Sequence, residues 1–173
     1  MVRAISVVAL AVVLAGCGKA AGPSQTTTNA ACALIAQPEQ LFGAGAEIVG
    51  ANDIGAGSCH FGSQDGRRGG DIIVFDGTAA ATQYRQLAQK WAEVNRSPLQ
   101  SVPELGDEAQ LAGDLPGYQT QIVLRKGQST VALLAWSGDP QIGGDDLALR
   151  MATAVAQALP ASGLRRGGAG KAG

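Results

Sequence analysis

The chain has 173 residues and a formal charge of −1, is 46% hydrophobic and contains 25 glycines; that length is about one domain's worth. The charge is unevenly spread: between Ala31 and Pro160 there are 14 acidic against 8 basic side chains, so this body carries −6, while Arg165, Arg166 and Lys171 follow it. A net-negative body lacks the basic stripe that neutralises phosphates, which argues against a nucleic-acid partner.

At the start, Arg3 precedes Ala4–Leu14, eleven residues with no charge and only Ser6 polar, and small residues follow at Ala15 and Gly16. That is the three-part layout of a secretory signal, over residues 1–16. A membrane-spanning helix needs about 20 apolar residues, so this run is too short to cross. Leu14-Ala15-Gly16-Cys17 resembles the bacterial lipobox. The resemblance implies a diacylglycerol thioether on Cys17, cleavage before it, and a mature chain tethered to a membrane by its N-terminal lipid. Several acyl chains anchor stably, since each buried CH₂ contributes about 0.8 kcal/mol. The competing reading is an ordinary signal cleaved elsewhere, with Cys17 a stray thiol. Residue 18 is Gly and not Asp, which resembles outer-membrane sorting, facing the periplasm, if the cell has two membranes. Residues 17–29 hold no aliphatic or aromatic side chain larger than Ala, and such a composition predicts a flexible leash.

With Cys17 assigned to lipid, Cys32 and Cys59 remain, an even number in an exported chain, and an oxidising compartment favours their pairing. The bridge would close a loop of about 28 residues and contribute about 3 to 4 kcal/mol on the loop-entropy estimate. The alternative is a metal held by Cys59, His60 and either Asp53 or Asp65; the spacing lacks the paired ligands that place two donors on one ion, so no metal and no cofactor is expected.

The body, residues 30–160, is expected to be a single domain. "CALIAQPEQLFG" predicts one or two short helical turns, with Pro38 suited to a first turn, and a glycine-rich connection is expected as far as Gly57. "SCHFGS" alternates, with Cys59 and Phe61 on one face and His60 on the other, and "DIIVFDG" is β-branched. Asp65-Gly66 between them predicts a hairpin turn, with "SQDGRRGG" as connection. "TAAATQYRQLAQKWAEVN" places Ala80, Tyr84, Leu87, Trp91 and Val94 at helical spacing, capped by Asp76 or Thr78 and stopped by Ser97-Pro98. A short strand near Ala109–Ala112 is followed by a second hairpin, "YQTQIVLR" and "STVALLAWS". The last helix, "DDLALRMATAVAQALP", carries Asp145 and Asp146 at its positive end and turns Leu147, Met151, Val155, Ala158 and Leu159 inward. Residues 161–173 are low-complexity and expected to be disordered. The order helix, hairpin, helix, strand, hairpin, helix predicts an α+β fold, an antiparallel sheet of about five strands with helices packed on it. "VALLAW" is apolar on both faces, so the last strand should be central and covered on both sides, or one face should receive a partner or ligand.

Lipobox, polar leash, "CALIAQPEQLFG", "CHF", "VPELGDEA", a hairpin and a terminal helix together resemble a family of small actinobacterial-type extracytoplasmic lipoproteins without assigned activity, distantly similar to ligand-sensing extracellular domains and to antiparallel α+β folds of the Mog1/PsbP type. The resemblance spans residues 14–160. It implies that Cys32 and Cys59 pair and that Leu105-Gly106-Asp107-Glu108-Ala109 turns into the third strand, and it brings no catalytic residues.

Candidate sites follow from residue type. His60 is the only histidine, so any Ser-His-Asp or Cys-His mechanism must use it, yet no G-x-S-x-G elbow exists and a surface histidine is the plainer reading. Asp107-Glu108 and Asp145-Asp146 read as solvated caps ahead of acid/base pairs. "GRRGGD" and "LRRGGAGK" fail the phosphate-loop pattern. Tyr84, Trp91, Tyr118 and Trp136, four of the seven aromatics, are either ordinary core or the lining of a ligand or partner surface. The expected function is therefore a non-catalytic, membrane-anchored binding or accessory domain for an apolar small molecule or an envelope protein. The alternatives are an envelope hydrolase or metal-dependent enzyme using His60, which needs His60 to meet a carboxylate in a cleft, and a purely structural lipoprotein.

Overall fold

The computed structural model describes residues 29–52, 57–96, 98–115 and 119–160. The signal segment, Cys17, the leash up to residue 28, Asp53, Tyr118 and the tail from residue 161 lie outside the described residues. The body is α+β. A 3-10 turn, Cys32–Leu34, and helix α1, Pro38–Phe42, lead into strands β1 (Glu47–Asn52), β2 (Gly57–Gly62) and β3 (Arg68–Asp76). Helix α2 (Ala80–Asn95) separates these from β4 (Gln100–Ser101), β5 (Glu108–Leu115), β6 (Gln119–Lys126) and β7 (Ser129–Ser137), and α3 (Gly144–Ala158) closes the fold.

The sheet has seven strands, not about five, in the order β1-β2-β3-β7-β6-β5-β4, and every pairing is antiparallel. The two additions sit at the edges. β1 occupies what reads as a glycine-rich connection; all six of its residues are exposed, and it is held to β2 by backbone pairing, which leaves no hydrophobic alternation in the sequence. β4 is two residues long. β3 also begins earlier than expected, because Arg68, Gly69 and Gly70 pair with Ser137, Trp136 and Ala135. The connection shrinks to a turn in which Asp65 accepts from the Ser63 hydroxyl at 2.7 Å and the Arg67 N–H at 3.0 Å. Those two bonds hold the Asp65 carboxyl below the ordinary carboxylate range.

β7 lies at the centre of the sheet. On one face Cys59, Phe61, Ile72, Val74, Val131, Leu133, Ile122 and Leu124 are buried, covered by Leu147, Met151 and Val155 of α3 and by Leu34, Ile35 and Phe42 of the N-terminal turns. Phe42 stacks on Phe61 with centroids 5.7 Å apart, a contact type contributing about 0.5 to 1.5 kcal/mol beyond its area. Cys32 and Cys59 form the disulfide that fastens those turns to β2. On the other face α2 lies over β5, β6 and β7 and reaches β3, with Tyr84 and Ala88 buried against Val123.

Three details of the helices differ from the spacing-based reading. Val94 is 70% exposed, since the packed side of α2 runs through Tyr84, Ala88, Trp91 and Asn95, the last of which donates to Gln121 of β6, and Val94 falls on its flank. Ala158 is exposed, while Ala148, Ala152 and Ala156 are buried, as small residues permit close approach of α3 to the sheet. Neither Asp76 nor Thr78 caps α2: its N-cap is Ala79 with no side-chain bond, and Asp76 accepts from the Ser129 hydroxyl instead.

Two consequences are measurable. Replacing Cys32 and Cys59 by Ser releases a loop with a sequence separation of 27 residues and should cost about 3 to 4 kcal/mol in a denaturant titration. A Cβ on Gly69 would lie 2.1 Å from Trp136 Cζ2 and 2.7 Å from the Phe61 carbonyl oxygen, whereas one on Gly70 would meet the flexible Met151 Sδ at 2.6 Å and the Leu134 carbonyl oxygen at 3.0 Å. Overpacking typically costs about 1 to 3 kcal/mol; Gly69→Ala should fall near the upper end and Gly70→Ala near the lower, measured by urea unfolding.

Candidate functional site

The face under α2 is not closed over its whole width. Toward β2 and β1 it opens into a cavity of about 500 Å³ with walls from β1, β2, β3, β7, β6 and α2. Its floor is built by strand register. His60 pairs with Asp71, Asp71 with Leu134, and Leu134 with Gln121, a single row across four strands. The next row is Ser58, Ile73 and Ala132. Strand alternation sends Cys59 and Ile72 to the α3 side and leaves His60, Asp71, Ile73, Ala132 and Leu134 facing the cavity. Trp91, partly buried on α2, forms the opposite wall.

One corner of this floor is polar. His60 Nδ1 and Asp71 Oδ1 are 2.5 Å apart, with the side chains 41% and 40% exposed. A carboxylate only accepts, so the shared proton sits on Nδ1 and Nε2 is the nitrogen offered to a ligand. Trp136 stacks on the imidazole, centroids 5.4 Å apart and planes 26° apart, and the missing side chain of Gly69 makes room for that indole. The ring is thus held from its edge by Asp71 and across its face by Trp136. The Ser58 hydroxyl, also in the cavity, donates to Asn52 Oδ1 at 2.6 Å. On the far side Asn95 donates to Gln121 Oε1 at 3.2 Å.

The four aromatic candidates are divided by the fold. Trp91 lines the cavity and Trp136 flanks it through His60. Tyr84 lies beneath α2 in the small core with Ala88 and Val123; burial, with Glu108 adding to it and Arg125 opposing, pushes its phenol above the ordinary value. Tyr118 lies outside the described residues. The carboxylate pairs have local partners: Arg125 donates to Asp107 at 2.9 Å and to Glu108 at 3.2 Å, Thr120 donates to Asp145, and Arg150 pairs with Asp146 at 2.9 Å. Among the described residues no three His, Cys, Asp or Glu side chains gather to share an ion.

Asp71, Ser58, Asn52 and Gln121 are the site residues that sequence reading passed over. Asp71 carried a signal, being a charge at the first position of an otherwise apolar run, on the strand pairing with the one that holds His60. Neither a family model, nor a curated protein, nor a solved structure matches this chain.

Proposed function

We propose that the protein is a lipid-anchored, extracytoplasmic binding domain, without catalysis, whose ligand is a small molecule with a substantial apolar part. The observation that carries this reading is the cavity on the half-covered sheet face: its size falls within the range of about 300 to 1,000 Å³ typical of ligand sites, and it combines an apolar floor with a few convergent polar groups, as such sites do. The address rests on the sequence, on the signal-like segment and on Leu14-Ala15-Gly16-Cys17. An anchored chain with an open pocket suits capture or delivery at a membrane surface. An envelope protein is the other occupant consistent with the fold, through edge strand β1, where Ile48 and Val49 are 50% and 60% exposed.

The hydrolase reading gains one point from the 2.5 Å approach of His60 to Asp71 inside a cavity. Against it, the Ser58 hydroxyl in the cavity donates to Asn52 and not to the imidazole. Native mass spectrometry of protein taken from an envelope fraction tests the binding reading. The expected result is a mass excess that organic extraction removes and that a Leu134→Arg variant, with a charge planted in the floor, does not carry. A bare mass in the unaltered protein would instead favour a protein partner, and ester turnover lost on His60→Ala would favour the enzyme.

A further inference from the structure

We infer that the cavity selects a positively charged amine borne on an apolar body and rejects the matching carboxylate; this specifies the ligand class of the proposed binding function and stands on that reading. The argument is a charge inventory. Among the described residues lining the cavity, Asp71 is the one side chain with a fixed charge, and none is Lys or Arg. His60 offers an anion no net attraction, since its Nδ1 is already engaged by Asp71. With a neutral imidazole the pair carries −1, and with a second proton on His60 it carries none. In neither state does the pair hold a positive charge to spare, so a carboxylate entering the cavity would meet neutral donors such as the Gln121 amide but no counter-charge for its desolvation.

A cation meets the opposite situation. Asp71 is 40% exposed at the cavity, and its second oxygen accepts from an ammonium while the first stays on His60. Nε2 of the neutral imidazole is a further acceptor beside it. Trp91 lines the same cavity, and an indole attracts a cation that reaches its face as well as packing apolar groups. Ile73, Ala132 and Leu134 take the apolar part of the ligand. The net charge of the body, −6 between Ala31 and Pro160, draws cations toward the surface in the same sense.

The test holds the apolar body constant and changes the head. 1-Naphthylmethylamine, 1-naphthalenemethanol and 1-naphthoate are titrated calorimetrically into the full chain at neutral pH and low salt. The amine should bind at least tenfold more tightly than the carboxylate, with the alcohol between them. In Asp71→Asn, and in Asp71→Ser should the first variant unfold, the gap should close to within about threefold, while Trp91→Ala weakens all three. Equal binding of amine and carboxylate, a preference for the carboxylate, or an unchanged gap in a folded Asp71 variant overturns the inference and leaves the apolar cavity as a binding site. Failure of all three compounds to bind overturns the small-molecule reading itself, and the inference with it.

Discussion

The two apolar faces of β7 must both be kept from water, and that requirement arranges the layers around it. A strand whose residues alternate between polar and apolar faces water on one side; Val131, Leu133 and Ala135 on one face and Ala132 and Leu134 on the other leave β7 no such side. α3 and the N-terminal turns together cover the first face, and α2 covers the second only in part. At its start the strand is tied down by polar contacts: Thr130 donates to the Ala80 carbonyl at 2.6 Å and Ser129 donates to Asp76. These bonds fix where α2 begins and therefore where its cover ends. The cavity lies where the cover of α2 thins toward β2 and β1, with Trp91 of α2 still on its wall.

The N-terminal segment solves a different problem. From Ala31 to Phe42 it has one short 3-10 turn and one five-residue helix, too little regular structure to hold its place by backbone bonds alone. It is held by burial of Leu34, Ile35 and Phe42 and by the covalent link from Cys32 to Cys59. Because Cys59 is the immediate neighbour of His60 on β2, the link that secures the α3 side also stiffens the strand that carries the imidazole on the other side. Alternation along β2 separates the two tasks by one residue.

Legibility in the sequence followed the kind of force involved. The hairpins, α2, α3, the α+β class and the central place of the last strand were readable because hydrophobic period and turn residues record side-chain burial. β1 and β4 were not, since an exposed edge strand is made by main-chain pairing that any sequence without proline can supply. The exposure of Val94 and Ala158 was hidden for a related reason: helical spacing gives a face but not where its edges fall. The encounter of His60 with Asp71 depends on register across two strands, eleven residues apart, and a shift of one position would have put them on opposite faces. Single-residue typing made His60 a surface histidine; the register makes it part of a cavity.

The presence of that pair on an apolar floor is itself informative about what the surface is for. Ile73, Ala132 and Leu134 show that the neighbouring positions of the same face accept apolar side chains, and an ion pair as exposed as this one, 41% and 40%, contributes at most about 1 kcal/mol. Stability alone therefore gives no reason to place a carboxylate and an imidazole there, nor to leave an indole stacked over a glycine beside them. Had α2 extended over β2, the His60–Asp71 pair would be closed off and its remaining acceptors would need partners from the protein. With the face open, the side chains of His60 and Asp71 stay 41% and 40% exposed. Under the binding function proposed above, these acceptors, set beside Trp136 in a largely apolar surface, would receive a donor carried on an apolar molecule.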